Sequence, residues 1–158
     1  ALIWSLVGIL VYVGFRFKHI NFAIAGVIAL FHDVLVALGF LAITGRQIDL
    51  LSVTAFLTIA GFSINDTIVI YDRVRENNRL NRKLKLHELI NLSVNQTLSR
   101  TILTSSVTLL TVIAILAYGG EVLNNFAFAL LVGFISGVYS TVYIASPLVL
   151  ALNRKTRI

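Results

Sequence analysis

The sequence predicts an all-α polytopic membrane protein, and its composition and the spacing of its charges carry that prediction. Of its 158 residues, 58% are hydrophobic and 13% are charged, and the mean hydropathy is +0.91. Apolar residues occur in runs of about 20, the length that a helix needs to cross a bilayer core about 30 Å thick. A soluble domain of this size is less apolar and has shorter apolar runs.

Five apolar segments are expected to span the membrane as helices, because lipid offers no partner to unpaired backbone groups. The expected spans are about residues 1–15, 21–44, 50–71, 98–118 and 125–152. The first span is short and the sequence contains no Met, so we expect the sequence to be a piece of a longer protein. Gly119 and Gly120 are expected to end the fourth span, and Pro147 to bend the fifth.

Basic residues concentrate in every second connection between the spans, and this sets the expected orientation. The connection between the second and third spans balances Arg46 with Asp49, and the one between the fourth and fifth has no basic residue. By the positive-inside rule, the basic connections and the tail face the cytoplasm. Their basic residues are Arg16, Lys18, Arg73, Arg75, Arg79, Arg82, Lys83, Lys85, Arg154, Lys155 and Arg157.

Residues 72–97 are expected to form an amphipathic helical segment at the cytoplasmic face. Apolar residues recur there at spacings of three and four among charges, the pattern of a helix that lies at a membrane interface. They are Val74, Leu80, Leu84, Leu86, Leu89, Ile90 and Val94. The segment either anchors a helical hairpin or offers a docking surface to a cytoplasmic partner.

The fifth span contains a small-xxx-small pair, Gly133 and Gly137, followed by further small residues. Such residues let helix backbones approach closely in a membrane. The pair predicts close helix packing, and a route for substrate is the alternative interpretation.

Three ionisable residues inside the apolar spans are the candidate functional residues. An ionisable group in a transmembrane helix costs several kcal/mol, so its presence indicates a function. Asp66 lies in the third span, Asp33 with its neighbour His32 in the second, and Arg100 near the start of the fourth. Asp66 and Arg100 are expected at similar depth, where a guanidinium that approaches and withdraws changes the proton affinity of the carboxylate. Polar residues expected to support this proton relay with water are Asn65, Thr67 and Thr104, together with Ser63, Thr101 and Ser105.

Structural interpretations of the same residues stay open at this stage. Arg100 is also explained by a side chain that snorkels from a helix end towards the interface. Asp66 is also explained as a static partner that neutralises Arg100 in a salt bridge. For Asp33 and His32, a hydrogen-bonded structural pair competes with a relay.

Several classes of function lack their required residues in this sequence. The sequence has no Cys, no H-E-x-x-H zinc motif, no G-x-S-x-G nucleophile elbow and no phosphate-binding loop. We therefore expect no disulfide, metal, cofactor or catalytic site, and no enzyme. The net charge of +6 falls in the connections between apolar spans, which favours the cytoplasmic side of a membrane over nucleic acid as its partner.

The string GFSINDTIVIYDRVREN, together with NQTLSRTILTSS, ALFHDV and FRF, resembles the SecF family of bacterial protein-export membrane proteins. The resemblance covers the second to the sixth transmembrane helix of that family, which belongs to the resistance-nodulation-division superfamily. It implies a half-bundle of six helices, of which this chain supplies five. It also implies that the aspartate at Asp66 and the arginine at Arg100 take part in proton passage, while the role of Asp33 stays open.

The resemblance further implies partners and a location. SecF works with SecD beside the SecYEG channel in the bacterial inner membrane, and the proton-motive force helps to draw preproteins outwards. The accessory proteins YajC and YidC are further expected partners. The family's first helix and periplasmic domain are not in this sequence, and a separate SecF and the end of a fused SecDF chain fit equally well. A passive scaffold and a cation channel, with Na⁺ as a candidate ion, are the rival functions.

Overall fold

A computed structural model describes residues 2–17, 20–81 and 84–153, which are almost entirely helical and contain no strand. The helices are α1 (Leu2–Phe17), α2 (Ile20–Ile43), α3 (Leu50–Leu80), α4 (Leu86–Tyr118), α5 (Gly120–Ser140) and α6 (Ser146–Leu152). A π-helical turn, Thr141–Ala145, joins α5 to α6. The basic residues Lys18, Arg82, Lys83, Arg154, Lys155 and Arg157 lie outside the described residues.

Four helices of the described chain are long and apolar enough to cross a membrane. They are α2, α3, α4 and the continuous run from α5 to α6, with mean hydropathies of 2.2, 1.6, 1.9 and 1.8 in their most apolar windows. Helix α1 contains a shorter apolar stretch, Val7–Arg16. The predicted all-α membrane fold is confirmed.

The bundle is organised around α5, which packs against α2, α3 and α4, while α1 packs on α2 at one edge. Gly133 of α5 sits directly against the buried side chain of Ile59 on α3. Close by, the rings of Phe62 and Phe134 lie 4.3 Å apart. The small residue at position 133 is what brings the two helix backbones together, since a side chain there would overlap Ile59.

The connections at the end of the bundle opposite residues 81–85 are short and stabilised by polar contacts. Asp49 caps α3, because its carboxylate accepts hydrogen bonds of 2.8 Å from the backbone amide and the hydroxyl of Ser52. These two bonds hold the pKa of Asp49 below its ordinary value. The Arg46 guanidinium lies over the ring of Phe128, 4.2 Å from its centroid. Gly120 opens α5 with a φ of 72°, a left-handed conformation that favours glycine.

The described residues of the segment 72–97 belong to α3 and α4 and do not form a separate helix. Helix α3 continues to Leu80 and α4 begins at Leu86, so the segment forms the two facing helix ends of a hairpin. The buried amide of Asn77 joins them, donating to Ser93 Oγ at 2.8 Å and to Gln96 Oε1 at 2.9 Å. The Arg73 guanidinium adds a hydrogen bond of 2.7 Å to the same Gln96 oxygen. This polar clamp fixes α3 and α4 relative to each other two to three turns from Asp66.

Candidate functional site

Asp66 lies midway along α3 and is 4% exposed, with its carboxylate between α3 and α4. Its Oδ2 atom has no hydrogen-bond partner among the described residues. Ser105 of α4 is buried near this carboxylate. Its hydroxyl also has no hydrogen-bond partner among the described residues. A buried polar atom that lacks a hydrogen bond costs about 1–3 kcal/mol. Two such atoms therefore lie on facing helices, α3 and α4.

Arg100 precedes Ser105 on α4 by five residues and is exposed at the surface of the described chain. Its charge acts on Asp66, but no ion pair of 4 Å or less joins the two residues. The structure therefore brings the predicted pair to facing helices without the static salt bridge that was its simplest structural interpretation. That the pair relays protons stays a prediction.

Asp33 of α2 is fully buried and occupies a separate polar cluster. Its Oδ2 accepts hydrogen bonds of 2.7 Å from Ser63 of α3 and from Ser140 of α5. Its Oδ1 accepts one of 2.8 Å from Ser136 of α5 and lies 3.2 Å from the His32 ring. The carboxylate thus ties three helices together.

Gly137 makes this cluster geometrically feasible. A Cβ atom at this position would lie 3.3 Å from the Ser63 Cβ, a tight contact, and 3.7 Å from the Asp33 Oδ2, an ordinary van der Waals contact, so the glycine leaves room for the close approach of α5 to Ser63. Two of the three serines that bind Asp33 lie on either side of this glycine, at positions 136 and 140. The small-residue pattern of the fifth span therefore serves polar binding as well as close packing.

The remaining residues predicted to support the relay fall in different places. Thr67 is buried, donates to the Ser63 carbonyl at 3.1 Å, and lies 3.4 Å from the Thr141 hydroxyl of the π turn. Thr104 is exposed and donates to two carbonyls of its own helix. Asn65 is exposed on α3.

Ser136 and Ser140 are hydrogen-bond partners of Asp33 that sequence reasoning missed. Serine is also a common small packing residue in membrane helices, so its presence in a Gly-rich stripe did not by itself indicate a bound carboxylate. Their spacing of four, which places both on one helix face, was the available signal.

A bundle of long apolar helices with buried carboxylates between them is typical of a polytopic membrane protein. The model of the family of protein export membrane proteins SecD/SecF, C-terminal region, matches residues 1–155. The chain belongs to this family. Among the relatives, the protein translocase subunit SecF of Koribacter versatilis is 48% identical over 151 residues, which cover 96% of this chain. The protein translocase subunit SecDF of Thermus thermophilus is 46% identical over 149 residues, covering 94% of this chain.

A solved structure supports the same assignment. A crystal structure of SecDF in a super-membrane-facing form matches 95% of this chain with a TM-score of 0.89 and 47% identity. This chain spans 20% of that SecDF chain, 37% of the Koribacter SecF and 49% of the SecF of Calditerrivibrio nitroreducens. It therefore corresponds to about half or less of the length of the relatives that it matches.

Proposed function

We propose that this chain is the second to the sixth transmembrane helix of a SecF subunit, or of the SecF half of a fused SecDF chain, which couples proton entry to preprotein translocation. SecD is its direct partner, and SecYEG is the channel beside which the complex acts, with YajC and YidC as accessory proteins. The membrane is the bacterial inner membrane. The whole sequence, 1–158, is transmembrane domain, with the basic connections and the hairpin end of residues 72–97 on the cytoplasmic side.

The observation that carries the proposal is the buried Oδ2 atom of Asp66, which has no hydrogen-bond partner among the described residues. A buried structural aspartate has its oxygens satisfied by hydrogen bonds, as those of Asp33 are. Asp66 is almost as buried, yet its Oδ2 is unsatisfied and faces an equally unsatisfied Ser105 hydroxyl. An oxygen in this state is free to accept a proton directly, or through a water held between the carboxylate and the serine.

In the proposed cycle, one proton from the outer side binds the Asp66 carboxylate and later leaves to the cytoplasm, so that the charge of the site is the same at the start and the end of each cycle. Arg100 keeps its charge throughout, because a guanidinium does not lose its proton in a protein. When Asp66 is neutral, its attraction for Arg100 falls, and α3 and α4 shift relative to each other. That shift moves the periplasmic part of the complex.

The face of α4 that carries Arg100 is suited to pack against the SecD half. Only 17% of the apolar window of α4 is buried in the described chain, against 39–50% for the other three long helices. Arg100 and Thr104, about 40° apart around the helix axis, are both exposed on this face. An arginine that faces lipid is costly, so a protein wall or a water-filled path in the complex is its favourable surrounding.

The energy available is sufficient for this mechanism. Each elementary charge that crosses 100 mV supplies about 2.3 kcal/mol, which biases a two-state element by about fiftyfold. One proton per cycle is therefore enough to drive a change between two helix arrangements that differ by this amount.

The test compares Asp66→Asn with Asp72→Asn in the full-length protein, in cells where export of a secreted protein is followed with and without a proton gradient. Asp72 is the matched control, because it lies on the same helix but is exposed in an ion pair of 3.1 Å with Arg16. Protein level and association with SecD are measured for both variants. We expect Asp66→Asn to remove the stimulation by the gradient while Asp72→Asn retains it.

The rival functions predict different results, the scaffold in this experiment and the channel in a second one. If Asp66→Asn assembles and exports at the wild-type level, the helices are a scaffold and the relay is wrong. If purified protein in liposomes conducts Na⁺ or H⁺ continuously without the periplasmic part, the chain is a channel.

A further inference from the structure

The Asp33 cluster has a built geometry that the proton relay does not use. Asp33 is 0% exposed and its two oxygens accept three hydroxyl hydrogen bonds of 2.7–2.8 Å. The donors are Ser63 on α3 and Ser136 and Ser140 on α5, while Asp33 itself belongs to α2. These three contacts fix the three helices to one another, and the Ser140 hydroxyl also lies 3.2 Å from the Gly137 carbonyl.

Ser63 links this cluster to Asp66 through the body of α3. The two residues are three positions apart, so they lie on adjacent turns with side chains about 60° apart around the helix axis. A serine held in place on α3 therefore sets the direction in which Asp66, about 60° further round the same helix, points. Thr67, which donates to the Ser63 carbonyl and faces Thr141 of the π turn, restrains the next turn on the same side.

Small rotations of α3 about its axis displace the Asp66 carboxylate. A carboxylate lies about 5–6 Å from the helix axis, so a rotation of about 20° moves it by about 2 Å. Such a displacement is enough to make or break a hydrogen bond to Ser105. Among the described residues, the charged group that lies near Asp66 is Arg100 of α4. The titratable side chain in contact with Asp33 is His32. The charged residue of α5, Glu121, lies in the first turn of that helix, about four turns from Ser136.

We infer that Asp33 is a positioning residue for Asp66, and that it acts through the hydrogen bond from Ser63, which fixes the rotation of α3 so that Asp66 faces Ser105 and Arg100. This inference rests on the proposed proton relay. It differs from a purely structural role, because only the bond that includes α3 orients Asp66. The bonds from Ser136 and Ser140 hold α5 on α2.

The test uses Ser63→Ala and Ser136→Ala in the full-length protein with its partners. Both variants remove one buried hydroxyl donor of nearly equal bond length to the same carboxylate, 2.7 Å and 2.8 Å, so their costs to folding are matched. The readouts are protein level, association with SecD, and export stimulated by the proton gradient as a function of external pH. Asp66→Asn is measured alongside.

We expect Ser63→Ala to reduce the gradient-dependent stimulation by about fivefold and to move the pH of half-maximal stimulation, as the loss of one buried hydrogen bond at a functional group does. Ser136→Ala stays within about twofold of the wild type with an unmoved pH profile, because Ser136 donates to the other oxygen of Asp33 and its removal leaves the bond between Ser63 and Asp33 Oδ2 in place. If Ser63→Ala fails to accumulate, Ser63→Cys, which keeps the side-chain volume and a weaker donor, replaces it and gives a smaller effect in the same direction.

Two results overturn the inference and leave the relay standing. One is equal loss in the Ser63 and Ser136 variants with unmoved pH profiles; the other is wild-type behaviour of both, each alongside an inactive Asp66→Asn. If Asp66→Asn itself keeps the gradient stimulation, the proposed function fails, and the positioning role fails with it.

Discussion

Replacement of Gly133 by alanine tests the close approach of α5 and α3 most directly. A Cβ atom at position 133 would lie 2.9 Å from the Ile59 Cγ2 and closer still to Cγ1 and Cδ1. Ile59 is fully buried and β-branched, so its side chain has little freedom to move aside. The helices must therefore separate, or the isoleucine must leave its rotamer.

The expected magnitude follows from two opposed terms. Overpacking in a tight core costs about 1–3 kcal/mol. Alanine in place of glycine within a helix returns about 0.5–1 kcal/mol. The overlap with three side-chain atoms of Ile59 exceeds the helix gain, so Gly133→Ala lowers stability by about 1–2 kcal/mol.

A double-mutant cycle separates this overlap from other effects. Ile59→Ala alone leaves a cavity and costs about 2–5 kcal/mol. In the double variant the new methyl group of residue 133 occupies part of that cavity, so the combined loss falls short of the sum by about 1 kcal/mol or more. Thermal denaturation of the purified full-length protein measures each variant. Gly61→Ala, on α3 with no atom within 4 Å of the new Cβ, is the control and is not expected to lower the midpoint.

The reasoning is refuted if Gly133→Ala has the same melting midpoint as Gly61→Ala. It is also refuted if the loss of stability in the double variant equals the sum of the losses in Gly133→Ala and Ile59→Ala.

Two further predictions concern the two ends of the bundle. Asp49→Ala removes the cap of α3; because hydrogen bonds from Ser52 lower the pKa of Asp49 below 3.8, the contribution of its carboxylate is fully present above that pH and is lost as the pH falls below it. The difference in melting midpoint between wild type and Asp49→Ala should therefore shrink below pH 4, and a constant difference from pH 7 to pH 3 would contradict this origin. At the opposite end, Asn77→Ala removes two hydrogen bonds of the polar clamp and should cost about 1–3 kcal/mol in the same assay. Faster proteolysis between α3 and α4 should accompany this loss, and an unchanged cleavage rate would show that the clamp does not hold the hairpin.

Hydropathy predicted the helices but not where they end. The charged residues that follow Tyr71 indicated correctly that the apolar run stops there. Arginine and glutamate are nevertheless good helix formers, so α3 continues to Leu80, far beyond the apolar run. An apolar pattern reports the surrounding solvent of a segment, whereas the end of a helix depends on local propensity and capping.

The candidate site was predictable to the extent that single charges in apolar runs are conspicuous. Asp66, Asp33 and Arg100 were identified for that reason, and the structure locates them in two places: the α3–α4 face and the centre of the α2, α3 and α5 contact. The division between a satisfied and an unsatisfied aspartate was not predictable, because it depends on which serines of distant segments face each carboxylate. Sequence spacing gives the face of one helix and does not give the neighbour that this face meets.

The π turn has a consequence for the phase of the last helical run. Five buried residues of that run recur at a strict spacing of four: Gly133, Gly137, Thr141, Ala145 and Val149. In an uninterrupted α-helix, four such steps would carry the last of them about 160° round the axis, away from the bundle. The one extra residue that the π turn accommodates takes back about 100° of this drift. Pro147, which cannot donate a backbone hydrogen bond, follows at the point where the frame changes, and Ser146 Oγ satisfies the Thr141 carbonyl at 3.0 Å. The one-residue offset between α5 and α6 thus turns the buried residues of α6 back towards the face that α5 buries, so that one side of the run stays in contact with the bundle along its length.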